Sequence, residues 1–279
     1  MNDAGQALGF DERDFQRIRH LLRSWGGISL NDSKRPLVYN RLGKRLRAHG
    51  LALFHDYLNL VEENETEREH FINALTTNLT SFFREAHHFP ILADYLQRQS
   101  ADRNITIWCA AASTGEEPYS IAMTAIEALG HTAAQRVRII ASDLDTQVLA
   151  HGQTGIYRLD QLAQLPDAQR RQFFLKGRGT RTGYARIKQE VRELITFQQI
   201  NLLADKWPLQ GPLDIIFCRN VMIYFDKKTQ LQILEKFAPI LSADGMLLLG
   251  HSESLPHAGH LFRLCGRTLY RKVADKASS

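Results

Sequence analysis

ITIWCAAASTGEEPYSIAMT, Ile105 to Thr124, decides the fold. Ile105, Ile107 and Trp108 form a short apolar run, which reads as a buried strand. Ala110, Ala111 and Ala112 are small enough for the backbone to pass close to another group. Ser113, Thr114 and Gly115 are turn and cap residues. Glu116 and Glu117 fall in a first helical turn, where carboxylates suit the helix dipole. Pro118 is tolerated there because an early helical N–H has no partner within the helix. Ile121, Ala122 and Ala125 continue an apolar face. Strand, tight loop and helix make the first unit of a nucleotide-type α/β domain.

The loop is not GxGxxG. It has one glycine and two acids, so a pyrophosphate would meet Glu116 and Glu117 at the helix start. A cationic or zwitterionic ligand fits better, and S-adenosylmethionine carries a sulfonium and an ammonium. The plainer alternative is an ordinary strand-to-helix turn.

The chain has 279 residues, 44% of them hydrophobic, enough to bury a sizeable core. No apolar run reaches membrane-spanning length, and MNDAGQALGF lacks a signal-peptide pattern. A cytoplasmic protein without membrane insertion is expected. Cys109, Cys218 and Cys265 are odd in number and far apart, so they read as reduced core residues. The net charge of +5 permits an acidic partner without choosing one.

Residues from about 8 to 80 carry helical patterning. Phe15, Ile18, Leu21, Leu22 and Trp25 recur at helical spacing, and Gly26 and Gly27 stop that helix. Val38, Leu42 and Leu46 form a core stripe four apart in the next. Residues 31–50 hold six Lys/Arg against one acid, Asp32. Lys34, Arg41, Lys44, Arg45 and Arg47 lie mostly off the apolar stripe, with Arg41 and Arg45 projecting together. A solvated face explains such a run; so does docking to an acidic protein helix. Nucleic acid is not expected, because interleaved aromatics and a recognised fold signature are both missing. Leu51 to Glu69 read as one further helix.

NALTTNLTSFFRE (73–85) has too many polar side chains for plain core packing. Arg84 sits among Phe82, Phe83 and Phe89, and a guanidinium beside that much aromatic surface needs a partner. Glu85 or Asp94 could supply it. Alternatively the segment lines a ligand pocket and Arg84 is reserved for a carboxylate.

After the first helix, RIIA (138–141) reads as a second strand ending in SDLD. Asp143, with Asp145 as fallback, stands where a ribose-binding carboxylate belongs; Asp143 could instead cap the helix that starts near Thr146. Residues 151–200 break the strand–helix alternation. Ala185, Ile187, Val191, Ile195 and Phe197 suggest antiparallel strands with one open face, a small β-subdomain at about 155–198. Its exposed edge could accept an added peptide strand, and Lys176, Arg178 and Arg181 would favour an acidic one. LDIIF (213–217) is a buried strand with Arg219 and Asn220 at its carboxyl end. A helix at 227–240, a strand at 246–250 and a last strand near 267–273 follow, with Ser242–Gly245 as a turn.

Four motifs now stand in order: NALTTNLTSFFRE (73–85), AAASTGEEPYSIA (110–122), ASDLD (141–145) and FCRNVMIYFD (217–226). Together they resemble the CheR family of chemoreceptor glutamate methyltransferases, from about residue 10 to 272. The resemblance implies an all-α domain (1–80) followed by a Rossmann-like S-adenosylmethionine-dependent methyltransferase domain (81–279) with the inserted β-subdomain. It implies that Asn78, Thr80, Arg84, Glu117, Asp143, Asn201, Leu202, Arg219 and Asn220 surround the cofactor. It also implies methyl transfer to glutamate γ-carboxylates on receptor helices, with S-adenosylhomocysteine as product. In some members the β-subdomain holds a peptide at the receptor C-terminus, and Gly177-Arg178-Gly179 looks like that type.

The chemistry asks for no general base, since a carboxylate is already ionised at neutral pH. Arg84 and Tyr224 are the candidates to orient the substrate carboxylate, Glu117 to take the cofactor's ammonium and Asp143 its ribose hydroxyls. No metal is expected: His87-His88 and the His257/His260 pair lack a ligand at motif spacing. The rivals are a dehydrogenase on the same fold, opposed by the missing GxGxxG; a non-catalytic basic adaptor; and a nucleic-acid methyltransferase, opposed by CRNVMIYF where an acidic/Pro-Pro-aromatic loop would stand.

Overall fold

The computed structural model describes residues 8–273. The chain divides into two compact units. One gathers residues up to Thr77 together with Tyr224–Asp226. The other gathers Asn78–Ile223 with the chain from Lys227 onward.

The first unit is helical: α1 (Glu12–Gly26), α2 (Arg35–Ala48), α3 (Phe54–Glu63) and α4 (Glu65–Leu75). Asp11 and Asp14 close a capping box at the start of α1. Gly27, left-handed at φ 69°, ends it. Val38, Leu42 and Leu46 are fully buried, as their spacing requires. The single helix expected over 51–69 is broken at Asn64. That residue leaves helical φ/ψ, and its side chain accepts the Glu67 N–H, so one residue ends α3 and caps α4.

Glu67 is buried at 3% exposure and collects donors. Arg45 reaches it with a two-pronged contact at 2.9 and 2.5 Å, His49 at 2.8 Å and Tyr57 at 2.8 Å. Burial raises its carboxyl, but these hydrogen bonds and the Arg45 charge outweigh that and hold it at about 2. Arg41 donates to the Thr76 carbonyl at 2.5 Å, near the end of α4. Arg41 and Arg45 therefore do not project together from a free face: a buried acid and the open carbonyls of a helix end draw both inward. Lys34, Lys44 and Arg47 stay exposed.

The second unit runs α5 (His88–Arg98), β1 (Ile105–Ala110), α6 (Glu116–Leu129), α7 (Ala133–Arg136), β2 (Val137–Asp143) and α8 (Thr146–Thr154). Next come β3 (Ile156–Arg158), α9 (Asp167–Phe173), β4 (Phe174–Lys176), β5 (Tyr184–Ile187), α10 (Gln189–Arg192) and β6 (Ile195–Gln199). It closes with β7 (Leu213–Cys218), α11 (Lys227–Ile240), β8 (Leu241–Leu249), β9 (Phe262–Gly266) and β10 (Leu269–Lys272). Seven strands form one sheet in the order β6-β2-β1-β7-β8-β10-β9. The first five are parallel; β10 pairs antiparallel with both β8 and β9. Strands β1 and β7 are buried on both faces, which explains their unbroken apolar runs. From β1 the chain moves outward to β2 and β6 on one side, then to β7 and β8 on the other. The gap between β1 and β7 is the switch point, where such sheets bind ligands.

Three strands, β3-β5-β4, form the small antiparallel sheet of the insertion. Ile195–Gln199, expected inside that insertion, is instead the parallel edge strand β6 of the main sheet, paired with β2. Alternation misled there because an edge strand also has one open side. Strand β8 begins directly at Leu241 and absorbs the expected 242–245 turn as an irregularity in its pairing with β7. Strand β9 is an element beyond those the sequence pattern predicts. As the terminal strand of the sheet it leaves Cys265 exposed, while Cys109 and Cys218 are buried as expected. Among the described residues no helix is long and apolar enough to cross a membrane.

Candidate active site

The loops after β1, β2 and β7 converge with residues 78–85 at the carboxyl edge of the sheet. Backbone strain gathers there. Phe83 (φ 51°), Glu85 (φ 54°), Ala111 (φ 99°), Ser113 (φ 49°) and Asn220 (φ 58°) are all left-handed without being glycine. Such conformations persist where surrounding contacts over-determine them, typically at functional sites. Phe82 is wedged edge-on between Tyr157 and Phe174, and the Phe83 N–H donates to Ser120 Oγ at 2.9 Å. These anchors hold the strained segment.

Arg219 is the centre of the cluster, with 4% exposure. Its Nη1 donates to Glu117 at 2.7 Å and its Nη2 lies 3.4 Å from Glu85. Nη2 also donates to the Arg84 carbonyl. Its Nε is buried with no partner, so the site has an unmet donor. Burial raises the Glu117 carboxyl and Arg219 opposes that rise. Glu85 accepts from Asn220 Nδ2 at 3.1 Å and from the His251 N–H at 3.1 Å. Burial would raise Glu85 too, but Asn220, Arg219 and His251 hold it at about 2.

The two acids after β2 divide their work. Asp143 accepts the Ser113 N–H at 2.8 Å and the Asp145 N–H at 3.0 Å, tying the β1 and β2 loops together. Asp145 is the residue that caps α8, accepting from Gln147 and Val148, while its other oxygen takes Asn78 Nδ2 at 2.9 Å. Asp143 is thereby relieved of capping. The Asn78 carbonyl in turn accepts from Ser113 Oγ at 3.1 Å. Ile200 donates its N–H to the Asp143 carbonyl, so Asn201 and Leu202 follow at the end of the neighbouring strand. Thr80 sits in the same non-helical segment as Asn78.

Arg84 is half-buried and donates to the Leu79 carbonyl at 2.7 Å, one of the five donors a guanidinium has. Neither acid offered as its partner takes it: Asp94 pairs with Arg98 and Glu85 with Arg219. Tyr224 packs with the helical unit, its carbonyl accepting the Ser29 N–H at 3.0 Å. Glu85, His87 and His88 bring three possible ligand atoms within 4.8 Å of one another. The carboxylate of that trio is already committed to Arg219, Asn220 and His251, and a second cation beside Arg219 would be repelled. Glu85 and Glu253 carry structural weight that the sequence reading missed. Glu85 follows Arg84 in NALTTNLTSFFRE; Glu253 stands four residues beyond the end of β8.

The acids fit a ligand that carries positive charge and donates hydrogen bonds. The Asp143 oxygens accept backbone N–H groups, and a carboxylate oxygen can accept two hydrogen bonds. The glycine-poor loop offers no cradle of N–H groups for a phosphate.

Comparison with known proteins agrees. The family described as "CheR methyltransferase, SAM binding domain" matches residues 78–271, and "CheR methyltransferase, all-alpha domain" matches 13–76. Chemotaxis protein methyltransferase 2 of Pseudomonas aeruginosa is 50% identical over 266 residues, 95% of each chain. Chemotaxis protein methyltransferase of Escherichia coli is 50% identical over 272 residues, 97% of this chain and 94% of its own. A probable chemotaxis protein methyltransferase of Rhizobium etli is 40% identical over 259 residues, 90% of this chain and 96% of its own.

Proposed function

The chain belongs to the CheR methyltransferase family, and on that premise we propose how its residues divide the labour of methylating receptor glutamates. The protein is an S-adenosylmethionine-dependent methyltransferase that esterifies glutamate γ-carboxylates on chemotaxis receptors. The observation that carries this is the 50% identity to chemotaxis protein methyltransferases along nearly the whole chain, both domains included. A cytoplasmic location follows from such a substrate.

When bound, S-adenosylmethionine supplies an electrophilic sulfonium methyl. Asp143 takes ribose hydroxyls, and Glu117, held by Arg219, faces the ammonium end. Asn78, Thr80, Asn201, Leu202 and Asn220 complete the walls. Arg84 orients the incoming carboxylate, with Tyr224 as the second candidate for that role. The carboxylate needs no deprotonation near neutral pH, so the protein's contribution is alignment and electrostatics. The test is base-labile methyl label on the receptor band after incubation with receptor membranes and methyl-labelled S-adenosylmethionine. Base-stable label would move the substrate to another class.

Docking rests on charge. With Arg41 and Arg45 engaged inside the helical unit, Lys34, Lys44 and Arg47 are the residues left to meet an acidic receptor helix. Reversing Lys44 and Arg47 to glutamate is expected to raise the receptor KM about tenfold at low salt, from roughly 1 kcal/mol or less per exposed charge. The effect shrinks as salt rises, and kcat stays put. An unchanged receptor KM at low salt rules the face out.

The β-subdomain suits a peptide. Strand β4 is an edge of its sheet, and an open groove of about 940 Å³ runs beside it, lined by Phe174, Leu175, Lys176, Arg178 and Lys188 among others. An acidic receptor tail added as a strand would find both hydrogen-bonding edge and countercharge.

A further inference from the structure

We propose that Glu253 is a positioning residue for methyl transfer, acting through Asn220. The proposal rests on the placement of Asn220 in the cofactor site. Glu253 lies in the turn after β8 and is 5% exposed. One carboxylate oxygen accepts the Gly250 N–H at 2.7 Å and the Asn220 N–H at 2.9 Å. The other accepts the Ile223 N–H at 3.3 Å. One side chain thus ties together the loops that follow two neighbouring parallel strands, β7 and β8.

What it holds is a strained turn. Asn220 is left-handed at φ 58°, a conformation that a non-glycine residue keeps where surrounding contacts hold it. Gly250 presses on it from the other side: a Cβ there would stand 2.4 Å from Asn220 Nδ2 and 2.9 Å from its backbone nitrogen. Gripped in this way, Asn220 points its amide at Glu85, and Glu85 faces Arg219. Displacing Glu253 therefore displaces a chain that ends at the Arg219 cluster.

The residue type follows from the donors. Several backbone N–H groups converge on it, and an ionised carboxylate is acceptor-only at both oxygens. Glutamine has the same shape but must aim its NH₂ at one of those N–H groups. Burial pushes the Glu253 carboxyl up from its usual range, and the converging N–H groups pull it back. No lysine or arginine is needed to explain the acid.

The test compares E253Q, N220A and the double variant in the full chain. E253Q is expected to weaken S-adenosylmethionine binding about tenfold by calorimetry, with receptor KM unchanged and a cooperative thermal melt retained. In the N220A background the same change should cost less than twofold, because the residue it acts through is gone. Additive tenfold losses overturn the proposal, as does wild-type binding by E253Q when N220A is impaired. Wild-type binding by N220A itself overturns the cofactor-site reading instead. Should E253Q fail to fold, G250A probes the same turn from the opposite side and must show the same selective loss of cofactor affinity.

Discussion

Replacing Arg219 by methionine is expected to abolish S-adenosylmethionine binding and to destabilise the α/β unit by about 3–5 kcal/mol, the scale for removing one partner of a buried ion pair. The cation is nearly inaccessible and its side chain serves Glu117, Glu85 and the Arg84 carbonyl together. Without it Glu117 is a buried carboxylate left, among the described residues, with the weak Cys109 thiol at 3.4 Å as its donor. Burial already raises the Glu117 carboxyl, and Arg219 is the largest opposing influence. Its loss raises that carboxyl further. A carboxyl raised in the folded state binds its proton more tightly folded than unfolded, so the variant should gain stability as pH falls from neutral toward the ordinary value of 4.5. Thermal melts at two pH values read this directly. R219M/E117Q should recover much of the stability and none of the binding. A single variant that melts like the parent, with the same pH slope, removes Arg219 from the centre of the site.

The same cluster marks the boundary of what sequence can say. The β1–loop–α6 unit, the buried β7 strand and the acids after β2 were legible because each is local: a period, a turn residue, a helix start. Asp143, Glu117, Arg219 and Asn220 could be singled out as candidates for the same reason. Their partners could not. Arg219 and Glu117 are 102 residues apart in sequence, and nothing local says that they meet. Arg41 and Arg45 looked like a free basic face because Glu67, which takes Arg45, lies two helices away. Glu253 stands in a turn that reads as generic, and only the strained Asn220 packed on Gly250 reveals its work. Edge strands β6 and β9 were misassigned or missed, since one open side dilutes the apolar run that betrays a central parallel strand.

Arg84→Ala should separate catalysis from stability, because the two uses of this residue are made by different atoms. Its carbonyl receives Arg219, and alanine keeps that carbonyl. Its guanidinium spends one contact on the Leu79 carbonyl at 2.7 Å, at a half-buried position. Loss of the side chain should therefore leave the Arg219 cluster and the melting temperature near those of the parent. Activity should fall at least about 100-fold, the scale of removing one preorganised electrostatic donor. The loss belongs in kcat if the guanidinium aligns the carboxylate during transfer, since an interaction made only there leaves receptor KM unmoved. Arg84→Lys retains the charge but not the planar fork, so it should recover only part of the rate. The backbone explains why alignment is demanding: Arg84 is flanked by left-handed Phe83 and Glu85, and a helix-like or extended path would carry it elsewhere. Phe82 in the aromatic core and the Phe83 bond to Ser120 keep that path when the side chain is cut back. An Arg84→Ala enzyme that still turns over receptor at the parent's rate would leave the carboxylate to be oriented by another group, with Tyr224 the next residue to test.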